Sequence, residues 1–425
     1  MTDLLTLSAR ETARRVRAGD VSAEAVCAAF ADRIAEREPD VQAWTYYDRD
    51  RALAEARGVA AGPLAGITFG VKDVIDTADM PTGYGSALYE GFRPVADAPV
   101  VALARRLGAV MMGKTVSTEF AMASPGKTRN PAALDHTPGG SSSGSCAAIA
   151  AGMVHVAFGT QTSGSVVRPA SFCGIVGYKP SFGTLNRAGV KALSDSLDTM
   201  SLLARDVRDA AFATATLAEM PSLELGTVTA PKTVGLFRTS RWDLAEPATR
   251  DALDRAADAL RAAGVTVREL AVPDEFERLY AYHDAVMGWE TPRTLAFEHG
   301  PLGDRIAPLT RAFLDQLAKA TRADYDAALA GLKDRAAILD GLLDGCDVLL
   351  TPAAPGEAPA GLAATGDPVF NKVWTLLHGP AIAVPAGNGP GGLPVGVQVI
   401  GRLGDDAATL TAAAFLEDSL AENRP

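Results

Sequence analysis

Apolar positions recur at helical spacing through the first sixty or so residues of the chain. "SARE", Ser8 to Glu11, has the form of a capping box that opens a helix. "AGDVSAEAVCAAFADRIAERE" then predicts a turn at Gly19 and a second amphipathic helix. The reading over residues 1–62 is an N-terminal helical hairpin. From Leu64 the texture changes. "LAGITFGVKDVID" is a short apolar strand bounded by glycines, and "APVVALARRLGAVMMGKT" is a helix, a glycine stop and a strand. "SCAAIAAGMVHVAFGTQTSGS" predicts an Ala-rich helix followed by the strand MVHVAFG. Further on, "KTVGLF" is a strand and "PATRDALDRAADALRAAGVTVREL" a helix plus strand. Residues 301–345 are mostly helical, "DVLLTPAAP" and "GLPVGVQVIG" are strands, and "DAATLTAAAFLEDSLA" is a closing helix.

Short strands alternating with helices predict an α/β layer architecture. Residues 219–231, "EMPSLELGTVTAP", have the texture of a surface linker. Strand signals continue on both sides of it, so it reads as an insertion within one domain spanning 1–425. A core segment, 63–205, precedes the linker and the remainder, 232–425, follows it.

With 425 residues, 48 % hydrophobic and 21 % charged, the chain has the composition of a soluble globular protein. Its net charge is 40 − 51 = −11, which argues against nucleic acid or an anionic membrane as the main partner. Cys27, Cys146, Cys173 and Cys346 stand far apart with no C-x-x-C pair, as expected for reduced thiols in the cytoplasm. "MTDLLTLSARETARR" lacks the basic-then-apolar pattern of a signal peptide. The longest stretch without a formal charge, Thr137 to Val167, is rich in Gly, Ser, Thr and Gln, which hydrocarbon would leave unsatisfied; a membrane span is rejected.

Three short patterns imitate known sites. "GAVMMGKT", Gly108 to Thr115, matches the phosphate-loop spacing, but its middle residues are those of a strand rather than a loop. "SPGK", Ser124 to Lys127, matches S-x-x-K, but Pro-Gly would spoil the helix that this motif needs. "GSSSG", Gly140 to Gly144, matches a nucleophile elbow centred on Ser142, but the loop "NPAALDHTP" precedes it where a strand is required.

The serine run extends into "GGSSSGSCAAIAAGMVHVAFGTQTSGSVVRPASFCGIVGYKPSFG". This strongly resembles the signature of the amidase signature family, which hydrolyses amides with a Ser–Ser–Lys triad. "GVKDVIDTADMPTGYGS", "DAPVVALARRLGAVMMGKTVSTEFA", "DVLLTPAAP" and "GPAIAVPAG…GLPVGVQVIG" match its other landmarks in order. The cues "TQT.GSV.RPA" and "GDP…WTL" are similar to bacterial malonamidases. The resemblance implies a central mixed β-sheet flanked by helices on both faces, a helical substrate-pocket region at about 273–345, no metal or organic cofactor, and a homodimer acting on a small-molecule amide.

Carried over residue by residue, the nucleophile is Ser165, the bridging serine Ser141, reached by a cis bond from Gly140, and the base Lys72. The oxyanion hole falls to the N–H groups of Thr162, Ser163 and Gly164. Gly140, Arg168 and Arg293 fall in substrate-binding positions, the arginines as clamps for a carboxylate. A serine hydroxyl needs a base to take its proton, and a lysine serves only if burial disfavours its ammonium; Val71, Val74 and Ile75 flank Lys72 consistently with that. Three departures stand out. Val167 takes the place of the usual arginine, and Arg168 comes one residue later. Gln161 replaces the usual Asp. Ser163 replaces a glycine, so its N–H still donates while its Cβ crowds the pocket or bars positive φ.

The function implied is hydrolysis of a small amide, such as a carboxylate-bearing malonamate, to carboxylate and ammonia through an acyl-serine. The alternatives are the glutaminase subunit of a tRNA-dependent amidotransferase and a urethane, urea or aryl-amide hydrolase with the same triad.

Overall fold

The computed structural model describes residues 3–59 and 61–422. Eleven strands occupy it: β1 (Trp44–Tyr47), β2 (Thr68–Lys72), β3 (Val110–Thr115), β4 (Val156–Gln161), β5 (Val176–Lys179), β6 (Thr199–Ala204), β7 (Thr233–Leu236), β8 (Thr266–Glu269), β9 (Val348–Pro352), β10 (Ala381–Asn388) and β11 (Pro394–Ile400). They form one sheet in the order β1-β3-β2-β4-β6-β5-β10-β11-β9-β7-β8. The sheet is mixed: β2 runs parallel to β3 and β4, and β7 parallel to β8 and β9, while the neighbours joining these groups are antiparallel.

The first helices are α1 (Ala9–Ala18), α2 (Ala23–Val41), α3 (Arg49–Arg57), α4 (Pro99–Arg106), α5 (Ser143–Ala150), α6 (Val167–Cys173), α7 (Val207–Leu217) and α8 (Pro247–Ala262). They are followed by α9 (Phe276–Thr294), α10 (Ala296–His299), α11 (Pro308–Leu317), α12 (Arg322–Gly331), α13 (Arg335–Leu343), α14 (Lys372–Leu376) and α15 (Asp406–Glu422). Side chains alternate across a strand, so neighbouring residues feed opposite layers. Ala157, Leu203, Leu349 and Ala383 pack with Phe30, Ala147, Val167 and Phe276 from α2, α5, α6 and α9. Their neighbours Leu350 and Ile382 pack with Ala211, Leu253 and Leu410 from α7, α8 and α15. Phe158 and Leu202 join Ala13, Val101 and Phe212 from α1, α4 and α7. The α/β expectation of helices on both faces of a mixed sheet is met. Among the described residues no helix is long and apolar enough to cross a membrane.

The glycine–serine chemistry has a packing reason. Every residue of α6, and every residue of α5 before Ala150, is buried. A Cβ on Gly177 of β5 would lie 2.7 Å from the Ala170 Cβ of α6, and one on Gly144 would lie 2.3 Å from both Ala43 O and Val116 N. Glycine lets these backbones touch. Buried hydroxyls need partners. Ser145 Oγ donates to Phe158 O at 2.9 Å, Ser143 Oγ to Val116 O at 3.3 Å and Ser142 Oγ to Thr160 O at 3.5 Å. Three serines of the run thus pin α5 to its surroundings, and Ser141 is left for other work.

α1 and α2 follow each other across a turn where Gly19 is left-handed, but they do not pair as the expected hairpin: α1 packs on α7 and α2 on α3. The cap of α1 differs from the capping-box expectation: Ser8 accepts from Glu11 N, but the Glu11 carboxylate accepts from Arg14 and Arg15. Two charged neighbours outcompete one backbone amide. The segment expected to be wholly helical also holds β1, which pairs with β3, and α3. "GAVMMGKT" folds into β3, and Lys114 Nζ turns inward to donate to Ile75 O and Thr82 Oγ1, both at 2.6 Å. The segment 219–231 connects α7 to β7, with Leu223 buried and Glu224 3.3 Å from Arg10.

Gly144→Ala forces a methyl onto two backbone atoms. It should lower unfolding free energy by about 1–3 kcal/mol or more, read as an earlier urea midpoint at unchanged slope; an unchanged midpoint would show that the α5 start can shift at no cost.

Candidate active site

Three segments converge at one end of the sheet: the last residue of β2, the loop before α5, and the loop between β4 and α6. Lys72 ends β2 with no exposed surface. Its Nζ donates to Ser141 Oγ at 2.8 Å and Thr160 Oγ1 at 2.7 Å, with Thr160 O at 3.5 Å. No carboxylate forms an ion pair with it among the described residues. Burial therefore dominates and pulls the amine down to about 7, with Cys146 and Asp198 opposing it from further away. The neutral amine is accessible near neutral pH. Gly140–Ser141 is a cis peptide, and Thr118 N donates to Ser141 O at 3.3 Å.

From Met153 to Cys173, Ser165 is the one residue that is not buried. It faces a cavity of about 510 Å³ whose wall includes Ser163, Gly164, Arg168, Asp284, Asp367 and Lys372. The loop around it is held in an ordered way. Its carbonyls are all taken: Thr162 O by His283 Nε2 at 3.1 Å, Ser163 O by Thr375 Oγ1 at 2.7 Å, Gly164 O by Arg168 N at 3.1 Å and Ser165 O by Ser142 N at 3.3 Å. The N–H groups of Thr162, Ser163, Gly164 and Ser165 have no acceptor among the described residues. Gln161 completes the arrangement. Its Oε1 accepts from Val166 N and Val167 N at 2.9 and 3.1 Å, capping α6, and its Nε2 donates to Thr375 Oγ1 at 3.0 Å.

The departures at Gln161 and Ser163 are accommodated. Ser163 does not enter the left-handed region, and its hydroxyl lies 3.1 Å from His283 Nε2 and 3.6 Å from Met287 Sδ. Gly164 cannot be replaced in the same way: a Cβ there would stand 2.3 Å from Asn371 Oδ1.

The substrate-binding expectations fare differently. Arg168 lines the cavity, but its Nη groups donate to Gly366 O, to Gly140 O at 2.6 Å and to Thr365 Oγ1 at 3.3 Å. It braces two loops instead of offering a free fork to a carboxylate; the sequence does not reveal that loop 364–368 returns to this place. Gly140 is not on the cavity wall, and its carbonyl is the one Arg168 holds. Arg293 lies outside the site, stacked on Trp289 with its Nη1 donating to Trp289 O at 2.7 Å. Cys173 is buried and donates to Pro138 O at 3.4 Å. Sequence reasoning missed Thr160, His283, Thr375 and Lys372. Thr160 lies inside the "GTQTSGS" stretch, one residue before Gln161, and Thr375 inside the "GDP…WTL" cue, though without an assigned role; His283 and Lys372 lie more than a hundred residues from the serines and carry no local signal.

A family model described as Amidase matches residues 25–410, so the chain belongs to the amidase signature family of amide-hydrolysing enzymes. Among curated relatives, a glutamyl-tRNA(Gln) amidotransferase subunit from Acidothermus cellulolyticus is 34 % identical over 486 aligned positions, covering 99 % of this chain and 96 % of the relative. Among solved structures, an amidase superposes with a TM-score of 0.87 at 28 % identity, covering 97 % of this chain and 99 % of that one. A 6-aminohexanoate cyclic dimer hydrolase complexed with substrate gives 0.86 at 25 % identity, covering 100 % and 99 %. These relatives correct the partner expectation. Proteins named as subunits of a tRNA amidotransferase overturn a homodimer with a small-molecule amide and no nucleic acid as its whole set of partners. The acidic net charge misled because it averages one chain's surface and is blind to the other members of a complex.

The buried amine has a stability consequence. In the unfolded chain Lys72 holds its proton up to about pH 10.4, and in the folded chain only up to about 7. Between these values the unfolded state binds more protons, so this group's contribution makes stability rise with pH. Lys72→Met lacks it. The stability of wild type relative to Lys72→Met should therefore improve by on the order of 5 kcal/mol from pH 7 to 10.5, measured by denaturant melts. A pH-independent difference would mean that the amine is not desolvated.

Proposed function

We propose that this chain hydrolyses a carboxamide to a carboxylate and ammonia through an acyl-enzyme on Ser165, in the manner of a glutaminase subunit of a tRNA-dependent amidotransferase. The observation that carries the chemistry is the contact between a fully buried lysine amine and Ser141 Oγ, 2.8 Å away, in a loop that the bond from Ser142 N to Ser165 O joins to the cavity wall.

Neutral Lys72 accepts the Ser141 proton as Ser141 accepts the proton of Ser165. The Ser165 oxygen attacks the amide carbon and forms the tetrahedral oxyanion, which the unpaired N–H groups of the 162–165 loop receive. The proton returns through Ser141 to the amide nitrogen, the C–N bond breaks and ammonia leaves. Water, deprotonated by the same relay, then attacks the acyl carbon and releases the carboxylate and Ser165.

The finer reading is supported by the curated relatives and by the charge on the cavity wall. Asp367 and the Asp284–Lys372 ion pair place both signs there, which suits a substrate bearing an ammonium and a carboxylate, such as glutamine, provided that it exchanges partners with that pair. A short acidic amide such as malonamate carries one charge only. The relatives' alignment of 486 positions exceeds this chain's 425 residues by 61, so they hold segments with no counterpart here; partner dependence is therefore tested separately from substrate.

Ammonia release should favour L-glutamine over malonamate and propionamide, and Ser165→Ala should abolish it with the fold intact. Preference for malonamate or the neutral amide would sink the glutaminase reading, and turnover by Ser165→Ala would sink the site. The rate of wild type should rise with pH through about 7, because only neutral Lys72 can accept a proton. Lys72→Ala should lose about as much as Ser165→Ala, and Ser141→Ala less, since water can bridge the gap. Glutaminase activity from the chain alone would show that a partner protein is dispensable for this step.

A further inference from the structure

Four successive carbonyls pointing into hydrogen bonds and four successive N–H groups left free are unusual for a buried loop, where unpaired donors are costly. The two acceptors nearest the loop's start are held by side chains from outside the signature segment. His283 lies on α9 and Thr375 on α14, 121 and 212 residues from their partners. We propose that His283 and Thr375 are positioning residues: by holding the carbonyls of Thr162 and Ser163 away from the cavity, they aim the adjoining N–H groups at the point where the oxyanion forms. This rests on the acyl-Ser165 reading above.

The geometry limits what each side chain does. Thr162 O can only accept, so His283 Nε2 carries a proton and donates to it at 3.1 Å, with Ser163 Oγ equally close to the same nitrogen. On the other side of the ring, Nδ1 lies 3.3 Å from Asp284 Oδ1, and that carboxylate accepts from Lys372 Nζ at 2.8 Å. Lys372 opens α14, the helix that carries Thr375. An ion pair thus ties together the two helices that grip the loop. Thr375 Oγ1, donating to Ser163 O, also receives Gln161 Nε2, so the same hydroxyl serves the loop and the residue that caps α6. Neither His283 nor Thr375 appears on the cavity wall; both act through the backbone.

The test uses p-nitrophenyl acetate, a neutral ester that acetylates Ser165 through a tetrahedral oxyanion at the same position, releasing p-nitrophenolate, but cannot engage the charged wall. His283→Leu and Thr375→Val remove the donors at similar volume. Each should lower kcat by about 10- to 100-fold, the range expected for a misaligned reacting geometry, with KM changed less than about threefold. His283→Gln and Thr375→Ser keep a donor and should recover most of the loss. A purely structural role would instead lower the melting temperature, raise KM and kcat effects together, and show no such rescue. If His283→Leu does not fold, Thr375→Val decides alone. Wild-type kcat in these variants, with Ser165→Ala inactive, overturns the proposal; an active Ser165→Ala overturns the acyl-Ser165 reading instead.

Discussion

One desolvated amine governs this structure. Lys72 sits at the end of an interior strand with hydroxyls for partners and, among the described residues, no ion pair. Its ordinary affinity for a proton belongs to water, and the protein withholds water. Contrast Lys114 one strand away. It is equally buried, yet it faces Asp73 at 3.4 Å and a backbone carbonyl at 2.6 Å. Desolvation lowers both amines, but Lys114 has an anion that favours its charge, and it comes down only to about 8. Two lysines on adjacent parallel strands, β2 and β3, thus differ in what faces them: serine and threonine hydroxyls for one, a carboxylate for the other.

Keeping that amine dry requires helices packed against the sheet with no room for water. Large side chains cannot do this over a loop that must also approach the lysine. Small residues can. Glycines at 144, 159 and 177 bring α5 and α6 close to their neighbours, and serine hydroxyls satisfy the buried backbone that close approach exposes. The composition that first reads as flexible filler is the opposite. Only Ser141 points its hydroxyl at the amine, and the other serines of the run hold the helix that positions it.

Dense local packing also decides which parts are legible in the sequence. The strands around the site are apolar runs set off by glycine, and the signature stretch is continuous, so β2, β4, α5 and the residues 72, 141 and 165 can be located from it. The short strands β1, β5 and β6 escape, because four to six residues give too little periodicity to stand out beside the charged or glycine-rich segments flanking them. Arg168 attracts a substrate role through charge and proximity to Ser165 in sequence, and Arg293 through charge and family resemblance. Which acceptor an arginine meets is decided by the tertiary fold: loop 364–368, returning from far away, for one, and the face of Trp289 for the other. Likewise His283 and Thr375 reach the loop only through tertiary packing.

The same long-range geometry links substrate choice to the reacting centre. α9 contributes Asp284, Met287 and Gly288 to the cavity wall and His283 to the loop; α14 contributes Lys372 to the wall and Thr375 to the loop. A helix is stiff over one turn, so a change that moves Asp284 or Lys372 also moves the residue beside it or one turn on. The exposed Asp284–Lys372 pair is a weak tie by itself, worth at most a few-fold in any equilibrium. Its position gives it leverage, because small displacements of N–H groups around an oxyanion weigh heavily on rate. If the oxyanion forms at these N–H groups as proposed, reshaping the pocket on these two helices also retunes the chemistry. The remaining wall, from residues 121–123, α11 and loop 364–368, supplies neither His283 nor Thr375; it touches the grip through the packing of α11 on α9 and the bond from Lys372 N to Pro368 O.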